Sequence, residues 1–543
     1  MDIKQKETRT RTRLLPGWLF LFVAVAASTT CRAEDVTVTP LTISRLIDQR
    51  LEINDADLSQ FASDAEFLRR TTLDLAGRIP TIVEVHEYLS NTSESRRSEA
   101  ISRLMHSGVH YRNMATFWRR AWVPQADTPE FDSVTDDFER WLVQRLQQGT
   151  RYDELVAEIM TLDHSRIALA STTPVGFYNA NQSKPENLAA SATRAFLGLN
   201  LDCAQCHDHP FSRWTREQFW QTAAFFARPE TDEKNQPQLP KVRIPDTKLE
   251  YEPALLTRAK FSKPEKLDSV SLRLILVDWM KEDQERLLAK NAVNRLWAHF
   301  FGEAIIEPMD DLSRDEFQTG PRARLLNELS AAFITSGYNL NVLVEGIVSS
   351  HAYRLTSSSP DIVASTTVET AKKPDEATSQ AASVPDDSTE FKIVKATVRG
   401  LTGEQLYDSL QTAANLPSER ADVGGGSGRS LRSEFSSRFY IERAHSAERS
   451  ISQALTLMNG TFVNELTSKQ GNLMLASLLS SPFMSFDEQI DTVFIAVLGR
   501  HAREAELQSV QRNFKARPEA TRETHLGNLF WVLVNSSEFN TNH

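Results

Sequence analysis

Apolar residues recur three and four positions apart along most of this chain. Leu41, Ile43, Leu46, Ile47 and Leu51 form one stripe. Ala289, Ala292, Val293, Leu296, Trp297 and Phe300 form another, which stops at Gly302, a residue suited to a helix C-terminus. Two more run from Leu325 to Phe333, ending near Gly337, and from Leu340 to Val348. A spacing near 3.6 puts these residues on one face of a helix. Alternation with a period of two is confined to Val242 to Ile244 and Phe391 to Val398, where β-branched residues alternate with polar ones. The pattern predicts a mainly α, multi-domain helical protein with only small, short β elements.

Breaks in that pattern suggest the domain limits. Residues 1–33 carry Lys4, Lys6, Arg9, Arg11 and Arg13, then an apolar run from Trp18 to Ala27, then Cys31-Arg32-Ala33, the layout of a secretory signal peptide. The run is much shorter than the roughly 20 residues of a membrane span, which disfavours a retained anchor. Thr30 is a poor residue to precede a lipid-accepting cysteine, which disfavours a lipid anchor on Cys31. Cleavage after Ala33 is expected, and with it export to the periplasm or cell surface. Residues 357–388 are rich in Ser, Thr, Ala, Pro and Asp and read as a flexible linker or insertion. The helical regions are then 40–250, and 270–356 together with 389–543. Gly424 to Gly428 is glycine-rich but lacks the lysine of a phosphate-binding loop, and reads as an ordinary loop.

Charge and cysteine content narrow the partners. Loss of residues 1–33 would leave 55 basic against 70 acidic side chains, a net charge of −15, which argues against nucleic acid and favours a basic protein partner. No later stretch is apolar for long enough to span a membrane. Of the three cysteines, Cys203 and Cys206 alone would survive cleavage, and both belong to Cys203-Ala204-Gln205-Cys206-His207.

That spacing carries chemistry. Two thiols three positions apart on a helical turn can each form a thioether with a haem vinyl group, and the following histidine then lies under the iron. Cys203 and Cys206 would hold one covalent haem c per chain, with His207 as proximal ligand. A redox-active disulfide fits less well, because the flanking pattern is helical rather than βαβ. A zinc site of Cys203, Cys206, His207 and His209 would crowd its ligands. Ser183 with Glu186 around Pro185, and Thr215 with Gln218, have capping-box spacing and predict helices on either side of the motif. Trp214, Phe219, Trp220 and Phe226 follow it, either walling a porphyrin or packing as core. His209 cannot reach the opposite face of a haem, since two residues span about 7 Å. Met105, Met114, Met160, Met309, Met458, His110 and His164 are the candidates for a sixth ligand, and the sequence does not choose among them. Asp310 and Asp311 read best as an exposed helix start, and His299 as a packing histidine.

Several longer strings resemble a known family. They are FLRRTTLDLAGRIPT from Phe67 to Thr81 and RAFLGLNLDCAQCHDHPFSRWTREQFWQTAAFFAR from Arg194 to Arg228. Further on are NRLWAHFFG at Asn294 to Gly302, EPMDDL at Glu307 to Leu312, LTGEQLYDSL at Leu401 to Leu410, QALTLMNG at Gln453 to Gly460 and VNSSEF at Val534 to Phe539. Together they resemble secreted planctomycete proteins of unknown function that join a cytochrome-C-like domain to a planctomycete-specific domain. The resemblance covers nearly the whole chain after the leader. It implies Cys203, Cys206 and His207 as the site, one haem, and no catalytic residue.

The functional expectation is an exported c-type monohaem protein that transfers electrons to a redox partner or senses redox state in the cell envelope. The alternative is an envelope protein that binds or helps process an extracellular polymer, with the CxxCH motif as a structural haem or metal site. A haem peroxidase-like activity is a third, enzymatic option.

Overall fold

The computed structural model describes residues 37–53, 60–124, 132–163, 172–210, 212–234, 236–312, 319–358, 391–417, 431–439 and 450–543. The expected signal peptide, nearly all of the 357–388 insertion, Gly424 to Gly428 and His164 lie outside them.

Each apolar stripe becomes a helix, and the ends follow local chemistry. Pro40–Leu51 starts at Thr39, whose hydroxyl accepts from the Thr42 amide, and buries Ile43, Ile47 and Leu51. Leu287–Phe301 ends on Gly302 at φ +83°, and Gly320–Thr335 and Leu340–Ser349 supply the next two layers. The chain is mainly α, as expected. Among the described residues the β structure is three antiparallel ladders of two residues per strand. No described helix is long and apolar enough to cross a membrane.

One expected strand forms and one does not. Val242–Arg243 pairs with Glu250–Tyr251. Phe391 to Val398 makes no ladder; the strand begins at Arg399–Gly400 and pairs with Thr541–Asn542. Its alternation has a different cause. Phe391 and Ile393 pack on the helical body while Val394 and Val398 face solvent, with Phe391 lying 4.2 Å beneath the Arg322 guanidinium. An extended segment laid on helices needs the same period as a strand but no partner strand.

Val38–His543 forms one compact unit around two apolar clusters. The first runs from Ile43 to Tyr353, takes in Ile495, and so includes helices on both sides of residues 250–270. The second gathers residues from Leu401 to Phe539, joined by Leu73 and Ile79. Helix Asp64–Ala76 lies between them, with Phe67, Leu68 and Leu75 in the first and Leu73 in the second.

That helix carries a buried polar hub. The Asp74 carboxylate is wholly buried and accepts from Arg399 at 2.9 and 3.0 Å, from the Tyr353 hydroxyl at 2.7 Å and from the Asn542 amide at 2.7 Å. Arg69 donates to the carbonyls of Glu538 and Phe539, and Arg70 to those of Tyr353 and Leu355. Burial lowers the Arg69 guanidinium to about 10 and holds the Tyr353 hydroxyl well above its usual range. The Asp74 carbonyl takes the His299 imidazole at 3.2 Å, so His299 is the packing histidine expected.

Candidate functional site

The motif is reached through a helix that widens before it stops. Pro185–Ala192 continues into a π-helical turn, Thr193–Leu197, closed by Gly198 at φ +63°. Lys184 is the N-cap, and Ser183, at φ +51°, makes no capping bond, contrary to the expected capping box. Pro185 at the first helical position fixes the start one residue after the place the box requires. Gly198 is needed on two counts: its backbone is left-handed, and an added Cβ would sit 2.8 Å from Leu312 Cδ1. On the other side, Thr215 and Gln218 form the expected capping box for Arg216–Ala223.

Cys203 lies in a short 3₁₀ helix, Asp202–Gln205, and Cys206 is its C-cap. The two thiols are free and exposed. Ala204, between them, is fully buried and anchors the turn from beneath. The turn is further held by an Arg194–Asp202 ion pair and by the Trp220 indole, which donates to the Gln205 carbonyl at 3.1 Å. Asp208 accepts from the Arg216 amide at 2.8 Å, tying the end of the motif to the next helix.

His207 is exposed, with Nδ1 2.8 Å from the Asp208 carbonyl. A carbonyl only accepts, so Nδ1 is the donor, which in the neutral ring leaves the Nε2 lone pair free. This is the tautomer that a metal-ligating imidazole held by a backbone carbonyl adopts. The residues therefore fit a haem: two accessible thiols on one turn, followed by an imidazole oriented to ligate through Nε2. The aromatic residues do not wall that side. Trp214, Phe219, Trp220 and Phe226 are all buried as core, so the open face of the motif is the solvent side. Among the described residues no group of three or more His, Cys, Asp or Glu side chains converges as a metal-binding cluster.

The candidate sixth ligands separate clearly. Met105, Met114, Met160 and His110 are buried in the first cluster or against it, and His110 Nδ1 is committed to the Leu75 carbonyl at 3.0 Å. Met458 is exposed on Ile451–Asn459, beside the second cluster. Met309 sits in a turn closed by the Asp311 amide donating to the Pro308 carbonyl at 3.1 Å. Asp310 and Asp311 are thus not an exposed helix start. Asp311 is buried and forms an antiparallel bridge with Leu199, while the Leu312 amide donates to Gly198 at 2.9 Å. No local sequence signal marked this pairing, because its partners lie over a hundred residues apart.

Residues 42–231 match the family PSCyt2, described as a protein of unknown function (DUF1549), and residues 272–434 match PSD1, likewise of unknown function (DUF1553). The chain matches two families of unknown function. Both are planctomycete-type domains of unknown function, which is the coarser part of the resemblance carried by the sequence strings. No curated protein matches the chain, and no solved structure does. The CxxCH turn belongs to the PSCyt2 segment, and PSD1 residues brace it. Asn291 donates to the Ala195 carbonyl at 2.7 Å, Arg295 to that of Arg194 at 3.1 Å, and Glu285 pairs with Arg213. The Asp74 hub joins the same two segments, through Tyr353 and Arg399 of PSD1.

Proposed function

We propose that the mature protein is an exported c-type monohaem protein that passes single electrons, or senses redox state, in the cell envelope. Cys203 and Cys206 would hold the haem covalently and His207 would ligate its iron. The observation that carries this reading is the 2.8 Å contact of His207 Nδ1 with the Asp208 carbonyl, beside two exposed, unpaired thiols. In attachment, each thiol adds across one vinyl double bond, sulfur to one carbon and hydrogen to the other, with no net oxidation or reduction. The group supplies one-electron chemistry when bound, and the chain fixes its position and its proximal nitrogen. The acidic balance of the chain suits a basic redox partner.

The test is covalent haem staining and a pyridine haemochrome spectrum on the full chain, exported by a host with cytochrome c maturation. One covalent haem per chain is expected, lost when Cys203→Ser is combined with Cys206→Ser. A double variant that still stains on a denaturing gel, or a wild-type chain without covalent haem, overturns the proposal. The second result makes the non-redox, polymer-binding alternative the leading reading.

A further inference from the structure

We infer that the part of the chain beyond both family matches carries a groove that binds a neutral saccharide, independently of any haem. A cavity of about 360 Å³ opens between Thr467 and Ser468, which follow helix Thr461–Glu465, and Thr521, Thr524 and Asn528 at the start of helix Arg522–Val534. That volume lies in the range of small-molecule sites, about 300–1,000 Å³. Such sites are mostly apolar, whereas here every lining side chain other than glycine carries a hydroxyl, an amide or a carboxylate.

The fold sets the width of this groove. Gly527 lies inside the helix, where glycine is unfavourable, and a Cβ on it would sit 2.2 Å from the Thr467 carbonyl oxygen. The two walls meet at that glycine, and no other residue lets them come so close. Along the helix, Thr524, Gly527, Asn528 and Trp531 recur at i, i+3, i+4 and i+7 and so share one face. Trp531 stands one turn beyond the cavity, half-buried, with its indole N–H donating to the Met458 carbonyl at 3.1 Å.

The lining selects the class of occupant. Its one charged side chain, Glu523, has its carboxylate 3.7 Å from the Lys469 ammonium and 3.4 Å from the Lys469 amide. A single carboxylate already paired is too little for a divalent cation, and beside the helix start it repels a phosphate or an acidic chain. The Thr521 hydroxyl takes the Thr524 amide at 3.1 Å, which removes a donor that an anion would use. The Asn528 side chain is exposed and makes no hydrogen bond among the described residues. An amide, a carboxylate and several hydroxyls offer donors and acceptors together, as the vicinal hydroxyls of a sugar ring require. The neighbouring indole offers a flat face for the ring's C–H side. An apolar ligand would strand the polar lining. Thr521, Thr524 and Asn528 are exposed, so the groove is open along one side and admits a unit within a polymer chain as well as a free sugar.

The experiment is binding of the full chain to an array of immobilised neutral, N-acetylated and acidic oligosaccharides, with each bound member then titrated calorimetrically. Neutral or N-acetylated members should bind and acidic ones should not. Asn528→Ala and Trp531→Ala should each weaken binding about tenfold, and Trp531→Phe, which keeps an aromatic face, should weaken it less. Unchanged urea midpoints in these variants check that the fold is intact, and Asn528→Ala, at an exposed position, serves alone if the tryptophan variants unfold. An array without a bound member, binding confined to acidic members, or an affinity unchanged by Asn528→Ala overturns the assignment. The haem reading is decided separately by the covalent stain, so the failure of one is distinguishable from the failure of the other.

Discussion

Around Asp74, side chains end on partners inside the protein; around Cys203, they end in solvent. Both regions belong to the PSCyt2 segment, and both were conspicuous strings in the sequence. The Asp74 carboxylate receives four hydrogen bonds from three residues that are 279, 325 and 468 positions away. Cys203, Cys206 and His207 are held by their backbones and by Ala204, and their side chains are exposed. Buried polar groups that are fully partnered specify a fold, whereas exposed reactive groups on a braced turn are available for chemistry. The comparison separates a motif whose side chains build the interior from one whose side chains are left at the surface.

The largest expected effect follows from removing the carboxylate at the centre of the hub. Asp74→Ala leaves the buried Arg399 guanidinium without its counter-charge and strips acceptors from Tyr353 and Asn542. Breaking a buried pair from one side costs about 3–5 kcal/mol. Urea unfolding of the cofactor-free chain should show a loss of that size. A loss below about 1 kcal/mol would mean that the hub is not what joins the PSCyt2 and PSD1 segments, and the comparison would collapse.

Acid should attack the same region. His110 and His299 lie under consecutive carbonyls, those of Leu75 and Asp74. Burial lowers both imidazoles, His110 to about 4. The folded state therefore keeps His110 neutral where the unfolded chain, near 6.5, already binds a proton. The unfolded state binds more protons between those values, so the contribution is fully present above pH 6.5 and is lost as pH falls toward 4. The loss from His110 is on the order of 3 kcal/mol across that window, and His299 adds to it with the same sign. His110→Gln should flatten the fall in unfolding free energy between pH 6.5 and 4. An unchanged slope in that variant would assign the acid sensitivity elsewhere.

The two regions were not equally legible before folding. The CxxCH motif and the expectation drawn from it could be read directly, because its residues are adjacent in sequence. The helices were also legible, since a 3.6-residue period records burial on one face, as in Pro40–Leu51 and Leu287–Phe301. The hub was not, because nothing local to Asp74 indicates Arg399, Tyr353 or Asn542. The Met309 turn was misread for the same reason: two adjacent aspartates resemble a helix start until the Leu199 bridge is seen. Phe391 to Val398 shows the converse, a local pattern with more than one physical cause, resolved by what it packs against.

The smallest expected effect lies in the motif itself. Cys203 and Cys206 are exposed and make no disulfide, so replacing both with serine should change the stability of the cofactor-free chain by no more than about 0.5 kcal/mol. Ala204, between them, has no exposed surface, and Ala204→Leu should cost about 1–3 kcal/mol by overpacking. Urea midpoints for these variants, measured beside the wild type, test whether folding and chemistry are divided residue by residue within a single turn. A double serine variant as unstable as Ala204→Leu would make the cysteines part of the architecture. A small change, together with loss of covalent haem, would show that the fold holds these side chains at the surface for a purpose other than its own stability.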